Sequence, residues 1–170
     1  MLLLSTSLAA GSVQACWDEA AARYGLSSHL LYAIARTESS LNPLAVGRNA
    51  DGSRDIGLMQ INSSWLPRLA AHGIYEHHLW DPCTSIHVGA WILAGNVARL
   101  GYTWHAVGAY NARSPAKRAA YAIKVHRQVT AISAEVAEAA SQQPPRHTPF
   151  LPPRPTAAFP PGGPRGDHAH

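Results

Sequence analysis

The sequence predicts an α+β domain built predominantly of helices, with one small β element near residues 55–61. Two observations set that class. Apolar residues recur at three- and four-residue spacing in six stretches between Trp17 and Val136, and most of these are bounded by capping residues, prolines or glycines. Only Asp55-Ile56-Gly57-Leu58-Met59-Gln60-Ile61-Asn62 suits a strand, and its glycine marks a backbone running close to something else.

The first helix is Trp17 to Tyr24, closed by Gly25. A second starts at Ser27-Ser28, carries Leu30, Leu31, Ile34 and Ala35 on one face, and stops at Asn42-Pro43, because the residue before a proline avoids helical angles. Gly47 to Asp55 is polar, and Asn49-Ala50-Asp51-Gly52 is turn chemistry. Ser63 to Ala71 forms a third helix ended by Gly73, with Pro67 early enough to be tolerated. Asp81 caps a longer helix with Pro82 at its first position and Ile86, Ala90, Leu93, Val97 and Leu100 as its buried stripe; Gly101 ends it. Thr103 caps a short helix through Asn111, and Ser114-Pro115 restarts the chain into a last one through Tyr121, Val125, Val129, Ile132 and Val136. From about residue 142 to 170 prolines and glycines leave little to pack, so this tail is expected to be disordered or polyproline-like. The folded domain is thus expected over residues 16–135.

Composition narrows the partners. Of the 170 residues, 46% are hydrophobic, enough for one core, and the net charge of +4 suits an acidic partner such as nucleic acid, an anionic membrane or a bacterial cell wall. No zinc-finger, RNP or P-loop pattern and no basic helix interleaved with aromatics is present, which sets nucleic acid aside. The ten histidines include His77-His78 and His168 with His170, but these lack the spacing of a catalytic metal site, so neither metal nor cofactor is expected.

Residues 1–15 read as an export signal: an uncharged apolar stretch from Leu2 to Ala10 and a small-x-small site at Val13-Gln14-Ala15, too short to span a bilayer. A basic residue before the apolar stretch is missing. The alternative, a buried N-terminal helix, is opposed by Ser5, Thr6, Ser7, Gly11 and Ser12 as poor helix formers. Export to the periplasm would make Cys16 and Cys83 most simply a disulfide. The rival is acylation of Cys16, which follows the cleavage site directly and would then anchor the chain to lipid.

Glu38 is the residue out of place. At 100° per residue it projects between Leu31 and Ile34, on the face that should be buried. A carboxyl removed from water resists ionisation and becomes a proton donor near neutral pH. The competing reading is a helix-end glutamate turned to solvent.

Three motifs decide between them. Glu38-Ser39-Ser40-Leu41-Asn42-Pro43, then Gly57-Leu58-Met59-Gln60-Ile61-Asn62, then Ala109-Tyr110-Asn111, in that order and spacing, closely resemble the signatures of the soluble lytic transglycosylase (SLT) family, whose fold is like goose-type lysozyme. The resemblance covers about Cys16 to Val129. The Cys16-Trp17 opening and the Asp81-Pro82-Cys83 segment resemble most the specialised enzymes that accompany type III and type IV secretion, conjugation and pilus systems. Arg113 departs from the pattern, standing where many relatives have glycine, which alters the cleft edge.

The resemblance implies cleavage of the β-1,4 bond between N-acetylmuramic acid and N-acetylglucosamine in peptidoglycan, leaving 1,6-anhydro ends. Glu38 would act as acid and then base, whereas ordinary glycosidases use two carboxylates. Asp51 and Asp55 are the nearby candidates for a second, though a polar, turn-rich segment suits solvated loop carboxylates better. Ser39 would orient Glu38 or meet the sugar, or simply bond to backbone. Gln60 would offer its amide to an N-acetyl group. Met59 would floor the cleft or fill the core. Tyr110 would hydrogen-bond Glu38, Asn111 would bind sugar or cap its helix, and Tyr121 matches a further family tyrosine. Among the five tryptophans one or two could stack on sugars. Two other functions stay open: a wall-docking module that recruits a secretion-apparatus partner through its tail, and a hydrolase of the lysozyme kind.

Overall fold

The computed structural model describes residues 8–142. Most of the export segment's apolar start and nearly all of the proline-rich tail lie outside them. The first helix, α1 (Leu8–Tyr24), begins well before Trp17 and runs unbroken through the expected cleavage site, so the poor helix formers Gly11 and Ser12 do not stop it. The disulfide joins Cys16 of this helix to Cys83 at the start of α4 (Pro82–Leu100), and the Cys16 sulfur is therefore not the free thiol that acylation requires. Trp17, Ala20 and Ala21 bury the same face of α1.

The second helix, α2 (Ser28–Ser39), starts where the sequence places it: the Ser27 hydroxyl accepts the Leu30 amide. It ends earlier than Pro43 requires. Ser40 and Leu41 take left-handed angles (φ 53° and 65°), and the Ser40 amide bonds back to the Ala35 carbonyl, so the chain leaves the helix directly after Ser39. The long α4 keeps its predicted cap, with Asp81 accepting from the Thr84 amide at 2.8 Å. The helix α5 (Trp104–Asn111) is capped by Thr103, and α6 (Pro115–Gln142) runs past Val136. Between α2 and α4, after the sheet, lie a 3-10 turn (Ser63–Trp65) leading into the short α3 (Leu66–Ala70), and a second 3-10 turn at Glu76–Trp80. The predicted Ser63–Ala71 helix is therefore split, its first turn tightened where the Asn62 side chain caps the Ser64 amide.

The single expected strand is a hairpin. β1 (Val46–Arg48), β2 (Arg54–Ile56) and β3 (Ile61–Asn62) form an antiparallel sheet in the order β1-β2-β3, with Gly47 opposite Asp55 and Asp55 opposite Asn62. Strands of two and three residues are too short to show alternation in sequence, which hides β1 inside a stretch of turn residues. Residues 57–60 form the turn between β2 and β3. Gly57 adopts φ +73°, and a Cβ there would sit 2.2 Å from the Leu79 carbonyl oxygen, so the backbone proximity expected at this glycine is real. Ser85 of α4, fully buried, accepts the Met59 amide at 3.1 Å and pins the same turn.

The core lies where α4 is surrounded by α1, α2, α5 and the sheet, filled by Leu31, Ile34, Ile56, Met59, Ile61, Leu79, Ile86 and Leu93, all essentially without solvent contact. The helix α6 closes the other side of α2 and α5 through Tyr121, Val125 and Ile132. The C-terminal end of α2, the hairpin and the end of α5 are thereby brought to one cleft.

Candidate active site

The cleft has a volume of about 810 Å³ and is lined by Glu38, by Asn49, Asp51, Ser53 and Asp55 of the β1–β2 segment, by Gln60 to Asn62, by Trp65, and by Ala109 to Arg113. Glu38 enters from the last turn of α2, half-buried. Burial raises its pKa from 4.5 to about 7, and the charge of Asp55 adds to the rise. Hydrogen bonds from the Tyr121 hydroxyl and the Asn111 side chain, with the positive charge of Lys124, pull the other way. The result is a carboxyl close to half protonated at neutral pH, able both to give and to take a proton.

The tyrosine that holds Glu38 is Tyr121, whose hydroxyl donates to Glu38 Oε1 at 2.5 Å from the buried side of α6. Tyr110, expected in that role, donates instead to the Met59 carbonyl at 3.0 Å and so ties α5 to the β2–β3 turn. Burial, and then the charge of Glu38, keep both phenols far above the usual tyrosine pKa, so each is a hydrogen-bond donor at any working pH. Ser39 does not reach toward Glu38. Its hydroxyl is shared between the Ala35 carbonyl (3.2 Å) and the Leu58 carbonyl (2.7 Å), a staple from the end of α2 to the hairpin turn. Met59 belongs to the core. Gln60 lines the cleft, yet it sits in a turn with φ 47°, and its amide nitrogen is spent on the carbonyls of Ala45 (3.0 Å) and Gly57 (2.8 Å). Asn111 is exposed in the cleft and bonds to Glu38.

One group of side chains escapes sequence reasoning because the register of the sheet assembles it. Asp55 and Asn62 are cross-strand partners, and the Asn62 amide donates to Asp55 Oδ1 at 2.8 Å; the Asn49 amide donates to Oδ2 at 3.0 Å. Each oxygen of Asp55 thus accepts one side-chain amide. Asp51, fully exposed, accepts from the amide and hydroxyl of Ser53, which hold its carboxyl below the usual range. Trp65 is the second omission. It lines the cleft with its ring edge-on to Trp91, and the Arg68 guanidinium lies 4.8 Å from the Trp91 ring and 5.7 Å from that of Trp65, so the indole is braced from behind. Among the described residues no group of three His, Cys, Asp or Glu side chains could hold a metal ion.

A helix-borne carboxyl titrating near pH 7, facing a polar three-stranded wall across a cleft of sugar-binding size, is a glycosidase arrangement, and the family model "Transglycosylase SLT domain" matches residues 15–128. The chain belongs to the SLT transglycosylase family. Invasion protein IagB of Salmonella typhimurium is 48% identical to it over 128 residues, covering 71% of this chain and 80% of that one. Protein IpgF of Shigella sonnei is 45% identical over 125 residues, covering 71% and 82%. In shape the chain is similar to an inactive glutamate-to-glutamine mutant of the lytic transglycosylase Slt from Pseudomonas aeruginosa, with a TM-score of 0.58 at 21% identity over 73% of this chain; it spans 24% of that protein's length. The SLT chain is a lytic murein transglycosylase with a lysozyme-like fold, and none of its described helices is long and apolar enough to cross a membrane.

Proposed function

We propose that Glu38 carries both proton transfers of the transglycosylase reaction, in the periplasm, on peptidoglycan strands. Its protonated carboxyl gives a proton to the bridging oxygen as the bond from that oxygen to muramyl C1 breaks. The carboxylate so formed takes the proton from the muramyl C6 hydroxyl while that oxygen bonds to C1. The ring closes as a 1,6-anhydro end, the glutamic acid is restored, and no water is consumed. The observation that carries this reading is the placement of Glu38, which lines the cleft from the end of α2 and is held there by the Tyr121 hydroxyl; burial pushes its pKa up to about 7, so it keeps a proton to give near neutral pH and is a base once it has given it.

The state of Asp55 supports it. Asp55 is in the cleft, where the side-chain amides of Asn49 and Asn62 orient its two oxygens within the hairpin, and its charge acts on Glu38 through space in favour of the protonated carboxyl. Tyr121 and Asn111 position the Glu38 carboxyl, and the braced Trp65 offers a face for sugar stacking.

Residues 1–15 act as the export signal and the Cys16–Cys83 disulfide staples the mature chain in an oxidising compartment. The relative named an invasion protein fits a chain that opens the wall locally for an envelope-spanning secretion, conjugation or pilus apparatus, with the tail from residue 142 as the segment that meets it. The reaction is tested by mass spectrometry of the fragments released from purified peptidoglycan. Fragments with 1,6-anhydro ends, absent with Glu38→Gln, are expected. Wall binding without release in the native chain would leave only a docking module.

A further inference from the structure

Within the reading just given, we infer that Arg113 is a specificity residue that recognises the carboxylates of the stem peptide on the muramyl unit, so that this enzyme favours strands bearing anionic stems. Arg113 lines the cleft that holds Glu38, at the turn between α5 and α6, and is exposed. Among the described residues it makes no hydrogen bond and no ion pair, whereas Arg118, in the first turn of α6, is committed: its Nε donates to the Ala112 carbonyl at 3.0 Å and its Nη1 lies 3.1 Å from His105 Nε2. An unpaired guanidinium on a rim is an open fork for a carboxylate.

The rest of the cleft is charged the other way. Its sheet side carries Asp51 and Asp55, which repel a negatively charged substituent, and its floor carries Glu38, which adds to that repulsion whenever it is ionised. The sugars themselves are neutral. The charges on the substrate are those of the peptide hung on the lactyl group, and Arg113 is the one cation lining the cleft among the described residues. A peptide-bearing muramyl ring is therefore steered with its stem toward the α5–α6 turn and away from the aspartates, which also fixes which way the strand runs across Glu38.

The turn is built to hold that position. Gly108 packs so closely that a Cβ would lie 2.5 Å from the Arg118 carbonyl oxygen, the Ala112 amide bonds back to the Gly108 carbonyl at 3.3 Å, and the Arg118 amide bonds to the Ser114 carbonyl at 3.0 Å. Residues on either side of Arg113 are thus fixed, and little backbone order has to be acquired on binding.

The test compares native peptidoglycan strands with the same strands after carbodiimide coupling of their stem carboxylates to methylamine, which removes the charge and keeps the peptide. Affinity is measured for the full chain carrying Glu38→Gln, with and without Arg113→Ala or Arg113→Lys, so that no catalysis is needed. Arg113→Ala is expected to weaken binding to native strands about five-fold, in the range of an exposed but charge-assisted pair. It is also expected to abolish the preference over amidated strands, while Arg113→Lys retains part of that preference and added salt erases it. An equal loss on both strands, or an unchanged preference, overturns the inference. Should the native chain release no anhydro ends from either strand, the reaction assignment fails, and the affinity comparison still decides the role of Arg113.

Discussion

Replacing Tyr121 with Phe removes one oxygen and separates the two ways in which Glu38 is controlled. That hydroxyl donates to Glu38 Oε1 at 2.5 Å and is the largest influence lowering the carboxyl's pKa against the rise that burial imposes. A hydrogen bond to a charged group contributes about 1.5–3 kcal/mol, and one pKa unit is 1.36 kcal/mol, so its loss raises the pKa above its value of about 7 by about one to two units. Because Glu38 must hold a proton to begin the reaction, activity falls as pH rises through that pKa, and in Tyr121→Phe the alkaline limb of kcat/KM against pH moves upward by that amount. The plateau below the limb drops about ten-fold, since the carboxyl is no longer held against the bridging oxygen. The assay is initial-rate release of soluble fragments from purified peptidoglycan between pH 5 and about 10 at constant ionic strength. Tyr110→Phe is the comparison: its hydroxyl serves the Met59 carbonyl, so its limb stays in place while thermal stability falls by about 1 kcal/mol. A limb that stays put in Tyr121→Phe, or one that moves in Tyr110→Phe instead, refutes the assignment.

Three further outcomes follow from other parts of the structure. Glu38 has a folded-state pKa raised from 4.5 to about 7, so the folded chain binds a proton that the unfolded chain has already lost; stability falls as pH rises from 4.5 and levels off above 7. Glu38→Gln removes this cost, and its gain in thermal stability over the native chain, read by calorimetry, grows across that window to at most about 3 kcal/mol. Replacing both Cys16 and Cys83 with Ser opens a cross-link between positions 67 residues apart and lowers the unfolding free energy measured in urea by up to about 4 kcal/mol. Gly57→Ala puts a Cβ 2.2 Å from the Leu79 carbonyl at φ +73°, so a loss of about 3 kcal/mol is expected in the same experiment; a loss under about 1 kcal/mol would mean that the turn is free to move.

What the sequence makes legible is local. Ser27, Asp81 and Thr103 cap α2, α4 and α5 as their side chains foretell, and Glu38 is recognisable from the face it shares with Leu31 and Ile34. What it hides depends on pairing across the fold. The hairpin around Gly57 reads as one strand because β2 and β3 together are five residues, and the joining turn carries apolar side chains that belong to the core. Which tyrosine reaches Glu38 is decided by the packing of α6 on α2, 83 residues apart in sequence, and no spacing rule separates Tyr121 from Tyr110. Asp55 looks like a solvated loop carboxylate until the register sets Asn62 opposite it. Trp65 gives no sign of lining the cleft, since its neighbour Trp91 lies 26 positions away.

The claim that one carboxyl closes the muramyl ring without water is met most directly by digesting peptidoglycan in oxygen-18 water and weighing the fragment ends. The account predicts ends one water lighter than hydrolytic products, carrying no label, and none at all with Glu38→Gln. Labelled reducing ends would contradict it and make Asp55, or water held near it, the second catalytic group.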